Sequence, residues 1–277
     1  FALMELWPNP LTWLVAVVII GGRQLALAIL AHEATHRTLF KTPWLNDFVG
    51  DWLCARLVWL DVPRYREHHM RHHAHTGTER DPDMSLVRPF PTRAQAVRKK
   101  LLRDITGQTG LRRIVGNTLM DAGVLGYTVA ADVVKLPQQG RTLGEQIATA
   151  LRNMAPMLLT NTLLWAALAA CGIGWAYWAW AIAYLTTFSL FLRLRSLAEH
   201  ACTEASPDMF KNTRTCEAGL VARMTVAPHR VNYHLEHHVM ASVPFYRLPE
   251  MHTLLRARGI VPAPGGYREV LRRVSAG

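Results

Sequence analysis

The run from Leu11 to Ala31 carries one charged side chain, Arg23, and constrains the fold more than any other stretch of the chain. As a helix rising 1.5 Å per residue it is about 30 Å long, the thickness of the hydrocarbon layer of a bilayer. Two more runs of this kind, about Ala155 to Gly172 and about Gly174 to Leu192, contain no charged residue and are separated by almost nothing. They predict a tight helical hairpin that leaves a membrane surface and returns to it. Half of the 277 residues are hydrophobic, and they are gathered into these runs rather than dispersed.

The charges are as uneven as the apolar residues. The formal net charge is +11, yet Lys and Arg are missing from residues 1–22 and from 153–192. Apart from Arg23 they fall between Arg37 and Arg152 or between Arg193 and Arg273. Basic residues stay on the cytoplasmic side of a membrane, so both basic regions, 32–152 and 193–277, are expected to be cytoplasmic or interfacial. The expected fold is a single domain over 1–277: an all-α integral membrane protein with transmembrane helices, interfacial helices and a cytoplasmic histidine-rich cap. Residues 48–62 and 114–134 are apolar but interrupted by Asp51, Arg56, Asn117, Asp121 and Asp132; they read as interfacial or re-entrant helices. Residues 98–114, rich in Lys and Arg, read as a basic surface helix. Arg23, near mid-helix, is expected to face the bundle and to pair with an acidic or carbonyl group. Few residues precede the first run, as in a chain whose first helix is short or whose upstream crossing lies outside the sequence; a secretory signal is not expected, because no basic residue precedes the apolar stretch.

The basic balance alone would fit nucleic acid, but no zinc-finger spacing, RNP motif or glycine-rich phosphate loop accompanies it. Cys54, Cys171, Cys202 and Cys216 include no C-x-x-C pair, which points to reduced thiols.

The chemistry lies in the histidines. His32-Glu33-Ala34-Thr35-His36 is an H-E-x-x-H sequence, which taken alone describes a zinc protease with Glu33 as the base. Two further groups, His69, His72, His73 and His234, His237, His238, each have H-x-x-H-H spacing. Positions i, i+3 and i+4 share a helical face, so each group can aim three imidazoles at one centre. A catalytic zinc takes three protein ligands and a structural zinc four. Eight or nine converging imidazoles suit two ions with higher coordination, and imidazole accommodates iron as readily as zinc. Glu33 then becomes a carboxylate that orients a ligand ring, as do Glu199, Glu236, Asp81 and Asp83. His68 and His75 flank the second group and are read as solvent-facing or supporting, His229 as structural or cavity-lining, and His252 as a surface residue.

With these residues in place, the chain resembles the membrane fatty acid desaturase and hydroxylase superfamily. HEATH, H-x-x-HH and HLEHH match its three histidine boxes, residues 65–83 and 212–215 add to the resemblance, and residues 231–252 look like its bacterial acyl-lipid desaturase branch. The resemblance implies a non-haem centre of two Fe ions, ferrous when reduced, with O2 as co-substrate. Its ligands would be His32, His36, His69, His72, His73, His234, His237 and His238, with His200 in RLRSLAEHA as the ninth. Some relatives have a water-holding asparagine four residues before that position; this chain has Ser196. The implied partners are a lipid acyl substrate, membrane lipids and an external electron donor, a ferredoxin or similar acidic protein with its reductase; no nucleic acid is expected. The implied location is a bacterial inner membrane with the boxes on the cytoplasmic side. The alternatives are a hydroxylase, ketolase or decarboxylase of an alkyl or carotenoid chain on the same scaffold, a membrane zinc metalloprotease, and a non-catalytic metal-binding or transport protein.

Overall fold

A computed structural model describes residues 1–277 and is mostly helical. After a short α1 (Ala2–Leu6), the central strut is α2 (Pro10–Thr35). Its start is fixed reciprocally: Asn9 Oδ1 accepts from the Leu11 and Thr12 amides, and Thr12 Oγ1 accepts from the Asn9 amide. Pro10 fills the first helical position, where a missing N–H costs nothing.

Small residues on α2 let other segments come close. A Cβ on Gly21 would lie 2.1 Å from Thr187 Oγ1, and one on Gly22 would lie 2.1 Å from the Met224 carbonyl oxygen. Gln24 is fully buried and donates to the Trp180 carbonyl at 2.8 Å. Arg23 donates to the Met224 carbonyl at 2.9 Å, the carbonyl pairing that its position implied, although the side chain itself is exposed.

Beyond α2 the chain turns through α3 (Pro43–Phe48) into a π-helical turn, Val49–Ala55, packed against the end of α2, where Gly50 meets Ala34. Residues 48–62 therefore form an apron around α2 rather than one regular helix. Asp61 caps α4 (Val62–His75) by accepting from the Arg64 amide. After α5 (Met84–Val87), the basic stretch 98–114 does not form one surface helix. It divides at Gly107, whose φ of +82° suits a residue without Cβ, into α6 (Ala94–Ile105) and α7 (Gln108–Asp121). Arg113 then reaches Ser189 Oγ at 2.8 Å, and Arg193 pairs with the buried Asp104, so this stretch is built into the bundle. Only the first part of 114–134 is helical; the chain leaves α7 at Asp121 and continues irregularly to an antiparallel bridge between Leu125 and Lys135.

The predicted hairpin is present in altered form. Residues 155–172 make up the second half of α8 (Leu143–Ala170), which a reciprocal Thr142–Glu145 cap begins. The chain reverses at Cys171–Ile173, with Gly172 at φ +78°. Residues 174–192, however, are not one spanning helix. A 3₁₀ turn (Gly174–Ala176) leads into α9 (Tyr177–Leu185), the backbone breaks at Thr186 (ψ −87°), and α10 (Thr187–His200) continues in a new direction. Hydroxyls stabilise the break: Thr186 donates to the Ile182 carbonyl, Thr187 to the Val17 carbonyl and Ser189 to the Leu185 carbonyl. Among the helices, α2 alone is both long and apolar enough to cross a bilayer.

The largest apolar core, which includes Leu25, Ile29, Trp180, Phe188, Phe191 and Val226, lies between α2, α9 and α10. The last third of the chain caps one end of this bundle with α11 (Met209–Asn212), α12 (Leu220–Met224), α13 (His234–Val239), α14 (Leu248–Ala257) and α15 (Tyr267–Val274). Two short parallel strands, β1 (Cys216–Glu217) and β2 (Gly265–Gly266), tie it together.

Candidate metal centre

Four elements deliver imidazoles to the capped end of the bundle. The last turn of α2 brings His32, and His36 follows it as the C-cap; α4 brings His69, His72 and His73; α10 ends on His200; and α13 supplies His234, His237 and His238. Arg66 fixes the meeting of α2 and α4 by donating to the Ala34 and Thr35 carbonyls at the end of α2.

The nine rings form two groups, within each of which the ligand atoms lie within 4.8 Å of one another: His32, His36, His69, His73 and His237, and His72, His200, His234 and His238. His69 Nε2 lies 3.0 Å from His36 Nε2 and 3.1 Å from His73 Nε2, and His73 Nε2 lies 3.1 Å from His237 Nε2. In the other group His234 Nε2 lies 2.8 Å from His200 Nε2 and 3.0 Å from His238 Nε2. A ring nitrogen holds one proton or one lone pair, so His69 and His234 cannot hydrogen-bond to both neighbours at once.

The donor set fits metal ions. With metal–nitrogen bonds of about 2.1 Å, neighbouring ligands sit about 3.0 Å apart around a six-coordinate ion and about 3.4 Å apart around a tetrahedral one. His32 is buried, and neither of its ring nitrogens has a hydrogen-bond partner. A buried polar group left unmatched in this way is costly unless something else binds it.

Burial also keeps most of the rings outside the apolar bundle neutral, with their lone pairs available. It lowers His36 to about 4, His73 to about 2 and His200 to about 3. His72 is the exception: burial alone would lower it, but the Asp81 carboxylate on its Nδ1, at 2.8 Å, carries it above its ordinary value. That bond leaves Nε2 of His72 free to face its group. His200 Nδ1 lies 3.3 Å from the Asn212 carbonyl, which fixes its ring in the same way.

The other carboxylates differ from one another. Asp83 bonds His68 Nε2 at 2.7 Å and lies 3.8 Å from His72 Nδ1. Glu199 Oε1 lies 3.5 Å from His234 Nδ1 and accepts from Arg195 Nε at 2.7 Å. Glu33 Oε1 lies 3.5 Å from His32 Nδ1, but its Oε2 accepts from Thr38 Oγ1 and from the Phe245 amide, joining the first histidine segment to the cap. Glu236 does not orient a ligand ring: it bonds Thr215 and, at 2.6 Å, His252 Nδ1. His252 is accordingly largely buried rather than at the surface. Ser196 lies on α10 one turn before His200.

His68 and His75 stand outside both groups. His229, in a left-handed turn at φ +50°, packs edge-on against Phe245. The motif reading passed over three contributors: Arg195, Tyr65, which stacks on His69 at 5.2 Å, and Asn212, whose side chain also ties the Thr76 carbonyl to this end. Tyr65 and Asn212 open two of the stretches that carry the family resemblance, and the i, i+4 spacing of Arg195 and Glu199 signalled their pairing.

The fatty acid desaturase family model matches residues 8–268. The chain is 26% identical over 246 residues to a dihydrorhizobitoxine desaturase of Bradyrhizobium elkanii, covering 87% of this chain and 66% of that protein. It is 22% identical over 247 residues to an sn-1 oleoyl-lipid 12-desaturase of Anabaena variabilis, covering 86% of this chain and again 66% of the relative. Over 77 residues, 25% of this chain and 31% of the relative, it is 36% identical to a beta-carotene ketolase of Paracoccus sp. (strain PC1). The chain thus spans about two thirds of the length of the two desaturases. With a match that runs from the start of α2 into α15, the chain belongs to the fatty acid desaturase family.

Proposed function

We propose that the protein is an O2-dependent desaturase of a lipid acyl chain, with two irons held by the nine imidazoles. The observation that carries this reading is the division of those rings into groups of five and four, too many nitrogens for the single zinc of a protease. A pair of irons bound there would supply the activation of O2 and the removal of hydrogen from an unactivated carbon. The overall reaction takes up O2, two electrons and two protons, removes one hydrogen from each of two neighbouring carbons, and yields an alkene and two waters. The protein's part is to place the rings, to fix their tautomers through Asp81 and the Asn212 carbonyl, and to keep water out.

Membrane embedding is supported by α8, where Leu143, Ile147, Leu151, Leu158, Leu159 and Leu163 are all exposed. A helix with its apolar side chains turned outward is at home against lipid. The break at Thr186 is compatible with this, because neighbouring carbonyls are matched by the Thr186 and Ser189 hydroxyls. With the basic regions in the cytoplasm, the imidazoles face that side, and an acidic electron donor would dock on the positive cap. A bacterial inner membrane is the proposed location.

The segment similar to a ketolase favours a second reading, insertion of oxygen into a chain or ring on the same scaffold. Expression in a host whose lipids are then profiled by mass spectrometry separates the two. New double bonds that vanish in His234→Ala support desaturation; oxygenated products replace them in the second reading, and unchanged lipids in iron-loaded cells contradict both.

A further inference from the structure

Arg195 is a buried cation whose terminal nitrogens the centre just described does not use. It lies on α10 with its side chain 13% exposed, and Nε donates to Glu199 Oε1. Its terminal nitrogens donate to no protein acceptor, and unlike the sealed hydroxyls of Tyr127 and Tyr184 they keep accessible surface. The Tyr65 hydroxyl is in the same position, and Tyr65 stacks on His69. Both residues border the ligand rings: Tyr65 lies 5.2 Å from His69, and Glu199, which accepts from Arg195, lies 3.5 Å from His234 Nδ1.

The helix places Arg195 between the imidazoles and the apolar core. α10 begins beside Gly21 at the middle of α2 and ends at His200, so Arg195 lies about 7.5 Å closer than His200 to the bundle interior. A chain entering from the bilayer would meet it next to the carbon to be oxidised. Plain hydrocarbon there would leave guanidinium and phenol donors unmatched in a dry site, at a heavy cost.

Resting on the desaturase reading, we infer that Arg195 and Tyr65 bind an oxygen function of the substrate, a carboxylate or an ester carbonyl. The carbon oxidised then lies within a few bonds of that oxygen and not deep in the hydrocarbon tail. Glu199 positions Arg195 for this contact and sets its orientation through Nε, leaving the terminal nitrogens to the substrate.

The test uses the full iron-loaded chain in nanodiscs, reduced with dithionite and exposed to O2 with palmitate, methyl palmitate or hexadecane. Palmitate and methyl palmitate should be oxidised close to the oxygen-bearing end, and hexadecane should show a far higher KM. Arg195→Met should raise the KM for palmitate by roughly ten- to a hundredfold and that for hexadecane by far less, and Arg195→Lys should recover part of the loss. Tyr65→Phe, which removes one hydroxyl and nothing else, should raise the same KM by a smaller factor. Oxidation of palmitate in mid-chain with an unaltered KM in these variants overturns the inference and leaves the desaturase reading intact. Equal loss on all three probes, or loss of iron, in Arg195→Met and Tyr65→Phe assigns the two residues a purely structural part and also overturns it. Oxidation of no probe by the iron-loaded wild type brings down the desaturase reading, and this inference with it.

Discussion

Asp81 decides which nitrogen of His72 faces the second group of imidazoles, because its carboxylate occupies Nδ1. Asp81→Ala should therefore weaken retention of one ion about 10- to 100-fold while sparing the other, as a chelator titration followed by metal analysis would read. Eight of the nine imidazoles were legible in the sequence because i, i+3 and i+4 must share a face whatever the rest of the chain does, and the ninth, His200, only through the family resemblance. The direction of the carboxylates was not. Glu236 sits two residues from His234, roughly 200° around the helix, and so points away from the imidazole face toward His252. Glu199 could be named from its place beside His200, and the i, i+4 spacing hinted at its Arg195 partner, but that α10 turns this pair inward is visible only in the fold.

At the level of elements, the close approaches along α2 hold the scaffold in register. A side chain at Gly22 would run into the Met224 carbonyl, which is backbone and cannot swing aside. Gly22→Leu should cost about 1–3 kcal/mol or more, seen as a lowered Tm in detergent. Arg23→Leu removes the bond to the same carbonyl and should cost about 1 kcal/mol, at the low end for a charged donor because the group is exposed. Hydropathy marked α2 and the hairpin turn correctly, since long apolar runs and a glycine pair leave few choices. It concealed the break at Thr186, because Thr and Ser are mild enough to pass inside an apolar run. The carbonyl that Thr187 captures belongs to Val17, 170 positions away in the chain. Gly107 ended the basic helix for a similarly local reason, a backbone angle that composition does not reveal.

For the molecule as a whole, a cluster of nine buried imidazoles sets how stability depends on pH and metal. In the metal-free protein His36 titrates near 4 against 6.5 in the unfolded chain, because burial penalises its charged form. The unfolded state then binds more protons between those values, so stability should rise with pH across that window and fall as the medium is acidified from about 6.5 toward 4. His72, raised by Asp81, works in the opposite direction but is one ring among several. Metal should suppress the dependence until protons displace it, which thermal melts with and without chelator at a series of pH values would reveal. The net charge of +11 predicts, in addition, that electron delivery from an acidic donor slows as salt is raised. The most direct measurement is the metal content and X-ray absorption spectrum of the chain purified without added metal. The account predicts two irons per chain, each surrounded by imidazole nitrogen, falling to about one in a His234→Ala, His238→Ala double variant. A single zinc per chain, or irons bound mainly by carboxylate oxygen, would contradict it.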